Sequence, residues 1–234
     1  MAMKICVPLR AKTVRALKNQ VKTALKSPYK NNIFAFEIWL DALRPAPTVN
    51  QLKELFEASG KPFVVVAKGA KEKGAFKGGE KARMELLLKG LEAGARYVDV
   101  GMHTDKNLIN KLKKACKAHR AKLIISHHDW KQTPSLDDLE KLESHARSLG
   151  ADIVKIATTV VRPSDAVNLF EFTKRAQEKK HPVIVVGMGK YSLPARVGCA
   201  LLGSYLTYAA LDVRHSTAPG QPTLGECVKI LTLE

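Results

Sequence analysis

The sequence predicts an α/β fold, a single (β/α)8 TIM barrel over residues 1–234, and two observations carry that expectation. Eight short apolar runs recur along the chain, the number a closed barrel needs. Helix-like segments lie between them, and alternating β and α units with near-continuous apolar strands imply a parallel sheet covered by helices. No low-complexity or Pro/Ser-rich stretch suggests a linker, and the spacing of about 28 residues is the β/α unit itself, not a duplication.

In chain order, "KICVPL" (4–9) reads as the first strand and "KTVRALKNQVKTALK" (12–26) as the helix after it. "IFAFEIWLD" (33–41) and "PFVVVAK" (62–68) are the next two strands, followed by the helical "GGEKARMELLLKGLEAG" (78–94). "RYVDVGM" (96–102) precedes a lysine-studded helix face, "KNLINKLKKACKAHRAK" (106–122). "KLIISHHD" (122–129) leads to "SLDDLEKLESHARSLG" (135–150), with Ser135 as N-cap and Gly150 as stop. "DIVKIA" (152–157), "PVIVVGMG" (182–189) and "SYLTYAAL" (204–211) complete the set.

Composition narrows the function classes. Apolar residues make up 45% and charged residues 26%, enough to bury a core and too apolar for a disordered chain. No apolar run approaches the roughly 18 residues of a membrane span, and no signal-peptide pattern stands at the N-terminus, so a cytoplasmic protein without a membrane partner is expected. Cys6, Cys116, Cys199 and Cys227 lie far apart without CxxC spacing, which argues against a zinc site or a disulfide framework. The formal charge of +17 raises nucleic acid as a partner, but the lysines are spread over helix faces without interleaved aromatics. A solvated basic surface is expected instead, with a field that favours anionic substrates.

Strand parity selects the chemistry. Residues on one face of a strand recur at every second position, and in a barrel one face lines the lumen. In "IFAFEIWLD" the apolar set Phe34, Phe36, Ile38 and Leu40 suits the helix side, which sends Glu37, Trp39 and Asp41 inward. The same test groups Ile124, Ser126 and His128, and it groups Ile153, Lys155 and Ala157. A lysine within an apolar strand is costly unless it is paired or neutral, and a neutral lysine is a nucleophile. Alone, Lys155 reads more readily as a structural ion pair. With His128 at the C-terminal mouth it offers an amine to condense with a ketone and an imidazole to move a proton.

"IISHHDWKQTPS", "LGADIVKIATT", "VVGMGKYSLPARVGCALLGSYLTYA" and "TAPGQPT" resemble, in order and spacing, the type I 3-dehydroquinate dehydratases, the Schiff-base enzymes of the shikimate pathway. The resemblance runs from "KICVPL" through "FEIWLD" to "APGQ". It implies a (β/α)8 barrel, a homodimer, and a lyase that needs neither metal nor organic cofactor. It further implies that Lys155 forms an imine with the C3 ketone of 3-dehydroquinate and that His128, which precedes "DW", shuttles the C2 proton to the departing hydroxyl. Arg196 matches the arginine that binds the substrate carboxylate, Gln221 the glutamine of the closing loop, and Thr217 a serine of that loop. Glu37 is retained from the second strand's Glu-x-Arg-x-Asp. Burial and surrounding positive charge are expected to keep Lys155 neutral.

Departures from the pattern lie in the same pocket. Trp39 stands where the family has a substrate-contacting arginine, so a weak dehydratase that Trp39→Arg would improve is expected. Lys68 and Lys73 compete for the role of the arginine ending the third strand. Lys77 precedes Gly78-Gly79, where a histidine-orienting glutamate belongs, and Asp99 is followed by Gly101 in place of a glutamate. These changes keep two other readings open: a Schiff-base lyase or aldolase with another hydroxy-ketone substrate, and a binding protein that retained the barrel.

Overall fold

In the computed structural model, which describes residues 3–232 apart from the side chains of Lys71 and Thr232, eight parallel strands alternate with eight helices. The strands are β1 (Ile5–Leu9), β2 (Ile33–Trp39), β3 (Phe63–Val66), β4 (Tyr97–Gly101), β5 (Lys122–Asp129), β6 (Ile153–Thr159), β7 (Val183–Met188) and β8 (Thr207–Tyr208). The helices are α1 (Val14–Lys26), α2 (Val49–Ser59), α3 (Glu80–Glu92), α4 (Lys106–Ala118), α5 (Leu136–Ser148), α6 (Pro163–Glu178), α7 (Ser192–Leu201) and α8 (Leu224–Thr232). Each of the eight expected strands is present, although the last is far shorter than 204–211. Ser135 caps α5 as read from the sequence, its side chain accepting from the Asp138 N–H, and Gly150 follows in the left-handed region at φ 98°.

Neighbouring strands pair in sequence order from β1 to β7, and β8 pairs with β1. The seam between β7 and β8 closes differently. Tyr205 N–H donates to the Val183 carbonyl at 2.7 Å, and the Ser204 hydroxyl accepts from Val185 N–H at 3.0 Å while donating to the Leu206 carbonyl at 3.0 Å. A side-chain hydroxyl thus satisfies backbone groups where the ladder is interrupted.

Two apolar layers follow from strand parity. The outer layer, between sheet and helices, takes Phe36, Ile38, Val65, Val98, Ile125, Val154, Ile156 and Val185. The lumen takes Ala35, Trp39, Val64, Val66, Ile124, Ile153, Ala157, Ile184 and Val186. Burying each Val, Ile or Phe side chain among them stabilises the fold by about 1.5–3 kcal/mol. Parity in β5 and β6 is as expected. In β2 it fails at both ends. The β1–β2 register slips so that Cys6 faces Ala35, and Phe34 joins the lumen base beside Tyr97 at 6.4 Å instead of facing the helices. At the other end β2 stops at Trp39, and Asp41 turns out of the lumen in a 3₁₀ turn (Leu40–Ala42). Its carboxylate accepts from the N–H groups of Lys68 at 3.0 Å and Ala75 at 2.8 Å, clamping the loop after β3.

Candidate active site

At the C-terminal mouth of the barrel a pocket of about 420 Å³ is lined by Glu37, Trp39, Lys68, His128, Trp130, Lys155, Arg196, Tyr208, Thr217 and Gln221, with apolar walls between them. The seven site residues read from the sequence, Lys155, His128, Glu37, Arg196, Gln221, Thr217 and Lys68, all line it.

Lys155 projects from the middle of β6 and is 4% exposed. Its Nζ donates to Asp99 Oδ2 at 2.7 Å, to the Tyr208 hydroxyl at 2.9 Å and to Glu37 Oε2 at 3.2 Å. Burial alone would lower the pKa of this amine, but Asp99 and Glu37, aided by Tyr208, carry it well above the ordinary lysine value. The expectation of a neutral resting lysine is therefore corrected. No positive shell surrounds the amine; two carboxylates do, and it rests as a buried ammonium. Asp99 answers in kind: burial would raise its pKa, but Lys155, Lys68 and His128 hold it well below the carboxylate range.

His128 stands at the end of β5, its ring stacked on Trp130 with centroids 5.8 Å apart and planes 13° from parallel. Burial pushes its pKa well below the usual value, and Lys68 and Lys155 push it further, so the resting imidazole is neutral. Lys68 Nζ lies 3.2 Å from Nε2. An ammonium can only donate, so Nε2 accepts and the ring proton sits on Nδ1. The Nε2 lone pair thus faces the pocket, where Lys68 engages it at rest.

The glutamate missing before Gly78-Gly79 has a counterpart elsewhere. Glu72, in the loop after β3, places Oε1 3.9 Å from His128 Nδ1, and Arg83 of α3 lies 3.8 Å from Oε2. Arg83 is anchored by donating to Thr104 Oγ1 at 2.8 Å. A Cβ at Gly101 would come within 2.9 Å of Glu72 Oε1, so the glycine in β4 makes the room this carboxylate occupies. Sequence reading missed Glu72 because the insertion shifts it in register. The signal present was the loss of a glutamate at 101 together with a new one in the lengthened loop.

Lys68 and Lys73 occupy different surroundings. Lys68 lines the pocket, whereas Lys73 is exposed and stacks its ammonium over Trp130, 4.0 Å from the ring centroid. Lys77 is exposed outside the pocket. Trp39 donates its indole N–H to Glu37 Oε1 at 3.1 Å, and two cations lie over its ring, Arg10 at 4.9 Å and Lys68 at 5.0 Å from the centroid.

Arg196, 2% exposed, donates from Nη1 to the Tyr208 carbonyl at 3.3 Å, and its Nε and Nη2 are buried without a protein partner. Burial lowers its pKa to about 10, which leaves it charged at neutrality. An unpartnered buried guanidinium calls for an anion. Above it lies the loop that follows β8. Ser192 Oγ donates to the Gly220 carbonyl at 3.1 Å, and Gly189 N–H donates to the Pro219 carbonyl at 3.0 Å. Gln221 Oε1 accepts from the Thr217 N–H at 2.9 Å and lies 3.2 Å from Thr217 Oγ1, leaving the amide NH₂ to donate. The pocket therefore combines an amine, a neutral imidazole and a buried anion receptor.

Comparison with known proteins agrees with this geometry. A family model described as Type I 3-dehydroquinase matches residues 5–234. The bifunctional 3-dehydroquinate dehydratase/shikimate dehydrogenase of Arabidopsis thaliana is 32% identical over 226 residues, covering 97% of this chain and 36% of that protein. The 3-dehydroquinate dehydratase of Methanosarcina acetivorans is 32% identical over 222 residues, covering 93% of this chain and 91% of that one. The crystal structure of the type I 3-dehydroquinate dehydratase of Clostridium difficile superposes with a TM-score of 0.89 over 99% of this chain and 92% of that one at 23% identity, which speaks for the fold alone. The chain belongs to the type I 3-dehydroquinase family.

Proposed function

We propose that the chain dehydrates 3-dehydroquinate to 3-dehydroshikimate, with Lys155 as the imine-forming amine and His128 as the proton carrier. The observation that carries this reading is the meeting of Lys155, neutral His128 and unpartnered Arg196 in one pocket. Arg196 receives the substrate carboxylate, with Gln221 and Thr217 closing over it, and Lys68 turns from His128 Nε2 to the substrate as a further donor, which frees that nitrogen as the base. Binding brings the C3 ketone to Lys155, whose proton passes to an adjacent acceptor, Asp99 or Glu37, as the amine attacks and water is lost. The imine draws electrons from the C2–H bond, and His128 Nε2 accepts that proton. The enamine expels the C1 hydroxyl, to which His128 returns the proton, and hydrolysis of the imine frees product and amine. This reading takes the enzyme as a cytoplasmic homodimer. The four unbridged cysteines accord with a reducing compartment, and exposed Val167 of α6 and Leu193 and Leu201 of the adjoining α7 accord with a partner surface.

Borohydride reduction in the presence of 3-dehydroquinate tests the assignment. The expected result is ligand mass on the peptide containing Lys155 and loss of activity. An adduct confined to another lysine, Lys68 above all, would overturn it.

A further inference from the structure

The Lys155 ammonium has three protons and three partners, and the partners are not equivalent. Asp99 Oδ2 at 2.7 Å and Glu37 Oε2 at 3.2 Å are carboxylate oxygens, which only accept. The Tyr208 hydroxyl at 2.9 Å also accepts from the ammonium, yet it brings a proton of its own. That proton has no protein acceptor among the described residues. Tyr208 is 5% exposed and lines the substrate pocket. Its ring centroid lies 4.5 Å from Lys155 Nζ, and its backbone carbonyl accepts from Arg196 Nη1 at 3.3 Å. One residue of β8 thus links the anion receptor to the nucleophile, and a substrate anchored at both passes beside its hydroxyl.

We propose that Tyr208 is a catalytic residue of imine formation, carrying a proton from the Lys155 nitrogen to the ketone oxygen. The inference rests on Lys155 being the imine-forming amine. Lys155 first gives one proton to Asp99 or Glu37, and the freed lone pair attacks C3 while the carbonyl π pair moves onto oxygen. The adduct then holds a positive nitrogen with two protons beside a negative oxygen. Tyr208 donates its O–H proton to that oxygen and takes an N–H proton in return, so the tyrosine ends as it began. The nitrogen lone pair next forms the C=N bond and expels the hydroxyl, which leaves as water with the proton held on the carboxylate. Ketone and ammonium enter, protonated imine and water leave, and the same steps in reverse release the product. Burial and then Glu37 hold the phenol pKa well above its usual value, so no free tyrosinate accumulates and the two transfers are concerted.

The test uses 3-dehydroshikimate, whose condensation with Lys155 needs no proton transfer at C2. It is mixed with the enzyme in stopped flow, imine formation is read from the shift of its enone absorption to longer wavelength, and borohydride then locates the adduct. Tyr208→Phe keeps the ring and removes only the hydroxyl. Imine formation is expected to slow by about 10²-fold, the scale of a lost acid–base group, while the final extent of trapping at saturating 3-dehydroshikimate stays native. A structural role reads differently, because a misplaced amine lowers the extent as well as the rate. A native rate, or a loss of extent matching the loss of rate, would overturn the shuttle. Absence of any Lys155 adduct in the native enzyme would overturn the nucleophile assignment itself, a separate failure.

Discussion

Trp39 shows how one residue's meaning depends on what already surrounds it. Sequence comparison with the family suggests restoring arginine, provided that a carboxylate is free to pair with it. Glu37 is half committed: Oε2 accepts from Lys155, and only Oε1, which now accepts from the indole, would be released by the substitution. Arg10 and Lys68 also both lie over the ring, a cation–π contact worth about 0.5–1 kcal/mol for exposed Arg10 and about 2 kcal/mol for desolvated Lys68. Trp39→Arg would lose both contacts and add a third cation close to two others. Its expected effect on kcat/KM for 3-dehydroquinate is a fall, and steady-state kinetics showing a gain would mean that Glu37 can serve both Lys155 and the new guanidinium. The two adjacent histidines separate more simply. His128 faces the pocket and His127, of opposite parity, faces a second cavity behind it. His128→Ala should lose about 10²–10⁴-fold in kcat, the usual worth of a general acid–base group, while His127→Ala stays within about threefold. Equal losses would remove the parity argument. Lys155 and His128 were legible in the sequence because both sit inside regular strands, where a period of two places every side chain. The charge state of Lys155 was not, because Asp99 and Glu37 reach it from β4 and β2.

At the scale of elements, the loop after β3 is where pattern reading ran out. β2 ends at Trp39, so the alternation that sent Asp41 inward does not extend to it. The carboxylate instead receives two backbone N–H groups, from Lys68 and Ala75, and it is fully buried. Arg44 reinforces the same loop by donating to the Ala75 carbonyl at 3.1 Å. A Cβ at Gly74 would overlap the Lys68 carbonyl, so the turn requires glycine. These contacts seat Lys68 and Glu72 on either side of His128, a dependence invisible in a sequence where the partners lie 27 and 34 residues from Asp41. Hydrogen bonds to a charged group contribute about 1.5–3 kcal/mol each, so Asp41→Ala should loosen the loop markedly. The expected outcome is faster proteolytic cleavage within residues 69–79 and a fall in kcat/KM, with the rest of the barrel still folded by circular dichroism. Unchanged cleavage together with native kinetics would show that Arg44 and the backbone contacts hold the loop without Asp41.

For the whole molecule, the formal charge of +17 acts on an anionic substrate before any contact is made. Within the pocket the positive charge is partly compensated, since Glu37 and Asp99 pair with Lys155. Outside it there are stretches without compensation. Residues 106–122 contain six lysines, one arginine and no carboxylate, and Lys111, Lys113, Lys114 and Lys117 of α4 are all exposed. Charges on the outer helices lie too far from the mouth for direct contact, so their influence depends on the reach of the field. That reach, the Debye length, is about 30 Å at 0.01 M salt and about 8 Å at 0.15 M. Steering should therefore appear as a kcat/KM that falls with added sodium chloride while kcat stays level. Replacing Lys111, Lys113, Lys114 and Lys117 with glutamine should lower kcat/KM at about 0.01 M salt and leave it equal to the native value at about 0.15 M, where the helix is screened from the mouth. A deficit persisting at high salt would mean that the substitutions disturbed the barrel. Identical values at low salt would show that capture is governed by the cations of the pocket alone, with the wider surface charge kept for solubility.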